Sequence, residues 1–371
     1  MARRRLRSGF TTGTAAAAAA KAAVLAVLGP APEKVEIILP GGGHLKVAVH
    51  QAGRLATEGS ARAVVVKDAG DDPDVTNKAR IAAEVQLRPV LSGEGGLHLL
   101  GGNGVGLVTK PGLAVEPGNP AINPTPREMI ARAVRQALAW AAPQEEYAVA
   151  VTISVARGEE LAQRTLNPRL GVLGGISILG TTGLVKPYSH EAYIETIDLG
   201  LAVARAEGIR EVVLTTGGKS EKRAMAIRQD LPESAFVQIA DFFAYSLAAS
   251  AGANMGAIGL VSFFGKAVKQ AAGLAYTHAH KAAMDLPRLA GWLEEAGLPV
   301  EAGREIAGAN TARQALDILR GQGRLDLVPA VGGRMLGAAR DFAGPKPTLW
   351  AVIIDFDGTV LYSGSQPGDA A

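Results

Sequence analysis

From about Tyr188 onward, short apolar runs alternate with helical periodicities, and this alternation constrains the fold more than any other feature of the chain. HEAYIETIDLGLAVARAEG has helical spacing, REVVLTTGG reads as a strand and turn, KSEKRAMAIRQ is helical, and AFVQIA is a strand. DFFAYSLAASAG, MGAIGLVSFF and GKAVKQAAGLAYTHAHKAA continue as helix, strand and helix. Strands separated by helices of this length predict right-handed crossovers and a parallel sheet. In such sheets ligands sit beyond the carboxyl ends of the strands. Those ends carry TTGGKS (215–220) and FFGK (263–266), which makes Thr215, Gly217 and Gly218 candidate ligand contacts. A helical region follows, LPRLAGWLEEAG through TARQALDILRG, and then a strand pair, TLWAVIIDFDGTVLYS.

The first half has a different rhythm. VEIILP and LKVAVH flank GGGH as a hairpin, and ARAVVVKDAG is a strand that runs into the acidic loop DDPDVTNKA. GLHLLGGNGVGLVTKPG holds two apolar runs around a glycine turn, and EPGNPAINPTP is a loop. PREMIARAVRQALAWAA is an amphipathic helix with Pro126 near its start, and YAVAVTISV is a further strand. Mostly strands with a few helices predicts an α+β domain. The expected fold is therefore a two-domain mixed protein. An α+β N-terminal domain with Gly/Thr-rich ligand-binding turns covers 1–187, and a three-layer α/β C-terminal domain with a mainly parallel sheet covers 188–371.

Composition narrows the chemistry. The chain has no cysteine, which excludes disulfides, thiolate nucleophiles and cysteine metal sites. No apolar run approaches the ~20 residues that span a bilayer. The basic start MARRRLRSGF leads into alanines interrupted by Lys21, not into a signal-peptide core, so a cytoplasmic protein without a membrane partner is expected. The net charge of +3 is mild and aromatics make up only 5%. Nucleic-acid binders usually show a basic stripe and stacking aromatics, so a small anionic ligand suits this chain better.

GFTTGTAAAAAAKAA (9–23) is the sharpest local motif. Thr12 or Thr14 can cap the helix, and Gly13 keeps the turn free of a side chain. Free N–H groups and the helix dipole at such a start attract anions, while alanines on every face allow close packing. The same pattern also serves a well-capped, tightly packed helix with no ligand. TTG returns in GTTGLVKP (180–187) and TTGGKSE (215–221), neither of which matches the G-x-x-x-x-G-K-[ST] phosphate loop. GGNGVGLVTKPG contains G-x-G-x-G but leads into prolines instead of a helix, so a tight hairpin is the better reading, with Lys110 near a ligand.

KDAGDDPDVTNKA places Asp68, Asp71, Asp72 and Asp74 within one loop. Such carboxylates can take a proton, hold a hard cation or hydrogen-bond a ribose, and Asx turns and caps use them too. THAH puts His278 and His280 two apart, on different faces of a helix, where one of them can serve as a base or ligand contact. IIDFDGTVLYSG looks like the opening of a haloacid-dehalogenase-type phosphatase, with Asp355 in the nucleophile position. Only a few residues follow, however, and Asp357-Gly358 between two apolar runs predicts a hairpin turn.

Taken together, GFTTGTAAAAAAKAA, VVKDAGDDPDVTNKA, GGNGVGLVTKPGLAVEPGNPAINPTPREMI, NPRLGVLGGISILGTTGLVKP and FFGKAVKQAAG stand in one order and spacing that resembles the CbiD family. These are the cobalt-precorrin-5B C1-methyltransferases of anaerobic cobalamin biosynthesis. The resemblance spans roughly residues 7 to 320, and it departs at Ala15, where the family often has cysteine. It implies transfer of the S-adenosylmethionine methyl group to ring carbon C-1 of a cobalt-corrinoid precursor rich in carboxylates. Cobalt then arrives with the substrate, and no metal is held by the protein. It further implies substrate or cofactor contacts at Thr11, Thr12, Gly13, Thr14, Asp71, Gly102, Gly104, Lys110, Arg169, Thr181, Thr182, Gly183, Thr215, Gly217 and Gly218. Asp68, Asp72 or His280 are the candidates for a catalytic base. A small-molecule corrinoid is the expected partner, nucleic acid is not, and a homo-oligomer is left open. Two competing readings are a non-catalytic tetrapyrrole or anion carrier and the DxDGT phosphatase.

Overall fold

The computed structural model describes residues 6–91, 95–278 and 283–369, and the chain divides into two compact units, 1–191 and 192–371.

The first unit is built around helix α1 (Thr12–Leu28), whose alanines 15 to 20, 22 and 23 are all fully buried. Alanine has the highest helix propensity and the smallest side chain that still excludes glycine's backbone freedom, so such a helix can be sheathed on every side at close range. It packs against helix α2 (Pro124–Ala141) and against a mixed sheet. In sheet order the strands are β3 (Gln51–Arg54), β4 (Ser60–Val66), β5 (Arg80–Pro89), β7 (Tyr147–Val155) and β6 (Gly96–Gly101). Only β7 and β6 run parallel. Ile81, Ala83, Val85 and Leu87 of β5 alternate onto the helix face with Val149, Val151 and Ile153 of β7. The expected hairpin is present as β1 (Lys34–Ile38) and β2 (His44–Ala48). Strand β5 is an addition to the sequence reading, which runs from the acidic loop onward without naming it.

The second unit is the alternating fold that the sequence predicts. Its sheet order is β9 (Phe236–Gln238), β8 (Glu211–Thr215), β10 (Ala257–Phe263), β11 (Thr348–Ile354) and β12 (Val360–Gln366). The first four are parallel and β12 is antiparallel to β11. Helix α3 (Gly218–Ile227) covers one face, where Ala224 meets Val213, Val261 and Ile354. Helices α4 (Phe243–Gly252), α5 (Phe264–Ala271), α6 (Leu286–Glu295), α7 (Ala312–Gly321) and α8 (Val328–Ala343) contribute to the core on the other face. The chain leaves β8 toward β9 and then crosses back to β10, so a topological switch point lies between β8 and β10. The strand pair at the end is a hairpin whose turn closes from Asp355 N–H to Thr359 O at 2.9 Å, with Gly358 at φ 97°.

One helix is shorter than its sequence suggests. The reading from Gly265 to about Ala283 is helical, but α5 ends at Ala271. Gly273 takes φ 73°, and its N–H turns back to Gln270 O at 2.9 Å, which closes the helix with a left-handed residue. His278 therefore lies beyond the helix, its ring stacked on Tyr276. His280 lies outside the described residues.

Candidate functional site

The candidate residues fall into two groups, one in each unit. In the first unit the threonine turn is closed by the chain itself. The cap is Thr11, one residue earlier than Thr12: its hydroxyl accepts the Thr14 N–H at 3.2 Å. The Thr14 hydroxyl donates to Gly183 O at 2.7 Å, and Thr11 N–H reaches the same carbonyl at 3.0 Å. The Thr12 hydroxyl accepts Leu179 N–H at 2.9 Å, and Gly13 N–H donates to Leu179 O at 3.1 Å. A Cβ on Gly13 would lie 2.7 Å from Pro126 Cγ, and one on Gly183 would lie 2.9 Å from Thr14 Oγ1. Here Thr11 N–H and Gly13 N–H are taken by the carbonyls of Gly183 and Leu179, and Thr14 N–H by the Thr11 hydroxyl. The alanines behind them are buried in protein.

The remaining first-unit candidates are held in similar ways. Thr182 bonds within its own turn, accepting Leu184 N–H at 3.3 Å, and Thr181 stands beside it in the same loop. Gly102 donates its N–H to Ile153 O, and Gly104, at φ 77°, lets the backbone of Val155 and Gly158 come so close that a Cβ would collide. Lys110 packs along Gly171, whose missing Cβ makes room for its stem. Arg169 is half-buried in the loop before Gly171.

The acidic loop is tied down too. Asp68 receives both terminal nitrogens of Arg7, at 2.5 and 2.9 Å, and the N–H of Gly70 at 2.9 Å. The Arg7 hydrogen bonds, more than its charge, hold the Asp68 carboxyl at a pKa of about 2, against the opposing effect of burial. Such a carboxylate is a poor proton acceptor near neutral pH. Asp71 accepts Arg7 N–H at 2.7 Å, and Asp72 accepts Tyr188 N–H at 2.9 Å. Asp74 pairs with Lys67, which is 1% exposed and also donates to Thr76 Oγ1 at 2.8 Å.

In the second unit the same dipeptide opens onto space. A cavity of about 600 Å³ lies at the carboxyl ends of β8 and β10, at the switch point. Thr216, Gly217 and Gly218 form one wall, where the loop enters α3; Phe263, Phe264 and Gly265 form another, where β10 enters α5. Gly217 has φ 153° and ψ 175°, a region that side chains rarely enter. Of the candidates, Gly217 and Gly218 line this cavity. Thr215 sits just below it, fully buried, with a hydroxyl that has no hydrogen-bond partner among the described residues.

The charge of the cavity is one-sided. Lys219, Lys266, Lys269 and Arg313 line it, and no carboxylate does among the described residues. Acids near this edge are engaged: Asp241, beyond β9, pairs with Lys266, Glu221 accepts from Gln238 Nε2 at 2.8 Å, and Asp355, beyond β11, pairs with Arg320 at 2.5 Å. Lys269 is 8% exposed and donates to Thr277 O at 3.2 Å. Burial, and then the neighbouring Lys266 charge, lowers its pKa. Phe356 is 56% exposed at the rim, stacked on Phe263 at 5.0 Å with Arg313 5.2 Å from its ring centre. Lys266 and Lys269 are signalled in the sequence by their i, i+3 helical spacing. Arg313 and Phe356 have no local signal, because they reach the cavity from distant segments.

No cluster of three or more His, Asp or Glu side chains that could hold a metal occurs among the described residues. None of the helices there is long and apolar enough to cross a membrane.

The fold defines a two-unit α+β and α/β protein, with a cavity at the switch point of the second unit's sheet. Its relatives narrow that class. The chain belongs to the CbiD family: the CbiD profile matches residues 1–187 and the CbiD C-terminal-domain profile matches 276–365. It is 46% identical over 369 residues to the cobalt-precorrin-5B C(1)-methyltransferase of Nitratidesulfovibrio vulgaris, covering 96% of this chain and 92% of that one. It is 45% identical over 356 residues to the protein of the same name from Thermus thermophilus, covering 95% and 92%. The crystal structure of the cobalamin biosynthesis protein cbiD from Archaeoglobus fulgidus is 26% identical over 86% of this chain and 85% of its own, with a TM-score of 0.38.

Proposed function

We propose that this protein is an S-adenosylmethionine-dependent methyltransferase that works in the cytoplasm and methylates ring carbon C-1 of cobalt-precorrin-5B, giving cobalt-precorrin-6A in anaerobic cobalamin biosynthesis. The observation that carries this reading is similarity along nearly the whole chain, at 42–46% identity, to relatives that bear that name. S-adenosylmethionine supplies an activated methyl group on a sulfonium. Methylation of a ring carbon is an in-line displacement with that carbon as nucleophile, so the protein's task is to hold the two reactants in line and exclude water. No covalent enzyme intermediate is needed, which agrees with a chain that lacks cysteine and has Ala15 after the TTGT turn.

Gly217, Gly218 and the start of α5 supply ligand contacts in the second unit. The charged side chains that line this cavity are all cationic among the described residues, which does not suit the sulfonium of the methyl donor. The cobalt is cargo of the substrate.

The test is direct. Incubating the protein with methyl-labelled S-adenosylmethionine and cobalt-precorrin-5B should yield a product heavier by one labelled methyl. Binding of the corrinoid with no methyl gained would leave a carrier, and phosphate release that depends on Asp355 would leave a phosphatase.

A further inference from the structure

The cavity of the second unit raises a question that the reaction does not answer: which of the two reactants enters it. Its volume suits either a nucleotide-sized donor or one edge of a macrocycle. Charge separates them. The methyl donor brings a sulfonium and an ammonium against a single carboxylate and is net positive, whereas the corrinoid brings a fringe of many carboxylates. Four cationic side chains line the cavity, and among the described residues only Lys266 is ion-paired with an acid, Asp241. Among the described residues Lys219 and Arg313 have no carboxylate partner, and Lys269, 8% exposed and within the field of Asp241, donates only to the neutral Thr277 O. A buried ammonium with so little compensation is costly unless an anion completes it. Helices α3 and α5 also begin at this cavity, adding partial positive charge from the same side. At the rim, the exposed ring of Phe356 offers a flat apolar surface beside Arg313.

We propose that this cavity holds the carboxylate-bearing edge of the macrocycle and not the methyl donor, with Lys269, Lys219 and Arg313 as the carboxylate partners and Phe356 against the ring edge. This assignment rests on the methyltransferase reading for the identity of the macrocycle. The carboxylates replace water around Lys219 and Arg313, and one reaches Lys269, which lines the cavity. The methyl donor then approaches from outside this pocket.

The experiment is equilibrium binding to the intact protein, followed by corrin absorbance for one probe and by calorimetry for the other. The probes are a corrinoid with free carboxyl side chains, the same corrinoid with every carboxyl methylated, and S-adenosylmethionine. The variants are Lys269→Met and the surface pair Lys219→Gln with Arg313→Gln, which avoids the buried lysine and so guards against a folding defect. The free acid should bind the surface pair at least tenfold more weakly than the unsubstituted protein, and the ester should bind weakly to both. S-adenosylmethionine affinity should not change. Unchanged acid affinity in the surface pair overturns the assignment, and so does a loss of S-adenosylmethionine affinity in its place. If the protein transfers methyl while the acid ignores these variants, only this assignment falls. If the acid binds here but no methyl is transferred, the assignment stands and the catalytic reading falls.

Discussion

Two threonine–glycine turns precede two helices in this protein, and they have opposite fates. At the start of α1, Thr11, Thr12 and Thr14 bond to the carbonyls and amides of 179–183, and the helix behind them is sealed in protein. At the start of α3, Thr216, Gly217 and Gly218 border a cavity lined with lysines and an arginine. A helix N-terminus attracts whatever acceptor is nearest. In the first unit a neighbouring loop supplies that acceptor. In the second, at the crevice between strands whose connections diverge, none of the described residues fills the space. The motif alone does not decide between a structural cap and a ligand site; what packs in front of it does.

The comparison is broken most severely by overfilling the closed helix. Ala18→Leu adds three carbons where no surface is exposed, and should cost about 3 kcal/mol in urea denaturation. A loss below about 1 kcal/mol would mean that the helix is less tightly enclosed than its burial indicates. Next, Gly217→Ala forces a side chain into a glycine conformation with nothing nearby to clash, so the backbone alone sets a cost of about 2 kcal/mol. Its effect on kcat/KM should exceed that stability loss, and normal kinetics would remove this loop from the site.

Thr14→Val deletes one hydrogen bond to Gly183 O, which keeps its bond from Thr11 N–H, so stability should fall by about 1 kcal/mol with substrate affinity unchanged. Weakened substrate binding at unchanged stability would reopen the first turn as a ligand site.

The smallest effect concerns the acidic loop. The folded pKa of Asp68, about 2, lies below its ordinary value of 3.8, so its pairing with Arg7 stabilises the fold above pH 4, and this contribution is lost as the pH falls through 2. Asp68→Asn should therefore be slightly less stable than the parent at neutral pH. The gap in Tm should close between pH 4 and 2. Because Arg7 is more than half exposed, the gap is modest.

Much of the architecture is legible in the sequence. Alternating apolar runs and helical periodicities after Tyr188 specify the parallel sheet, because each strand buried on both faces must be nearly all apolar. Asp357-Gly358 specifies the final hairpin, because glycine alone relaxes at φ 97°. The carboxyl-end turns TTGGKS and FFGK are found from the same alternation. Helix α5 is less legible: its helical pattern continues past Ala271, and a single left-handed Gly273 ends it. The cavity is the least legible of all, since its lining joins segments from Thr216 to Phe356.

The sequence by itself determined the two-unit organisation, the parallel sheet and, through long ordered motifs, the CbiD family. Those properties reside in local periodicity and in residue order along the chain. Tertiary structure alone decided which turn is filled and which is open, that Asp68 is held ionised by Arg7, and that Lys219, Lys266, Lys269 and Arg313 meet around one space. Each of these depends on which distant segment arrives opposite a given donor or charge, and no local pattern encodes that arrival.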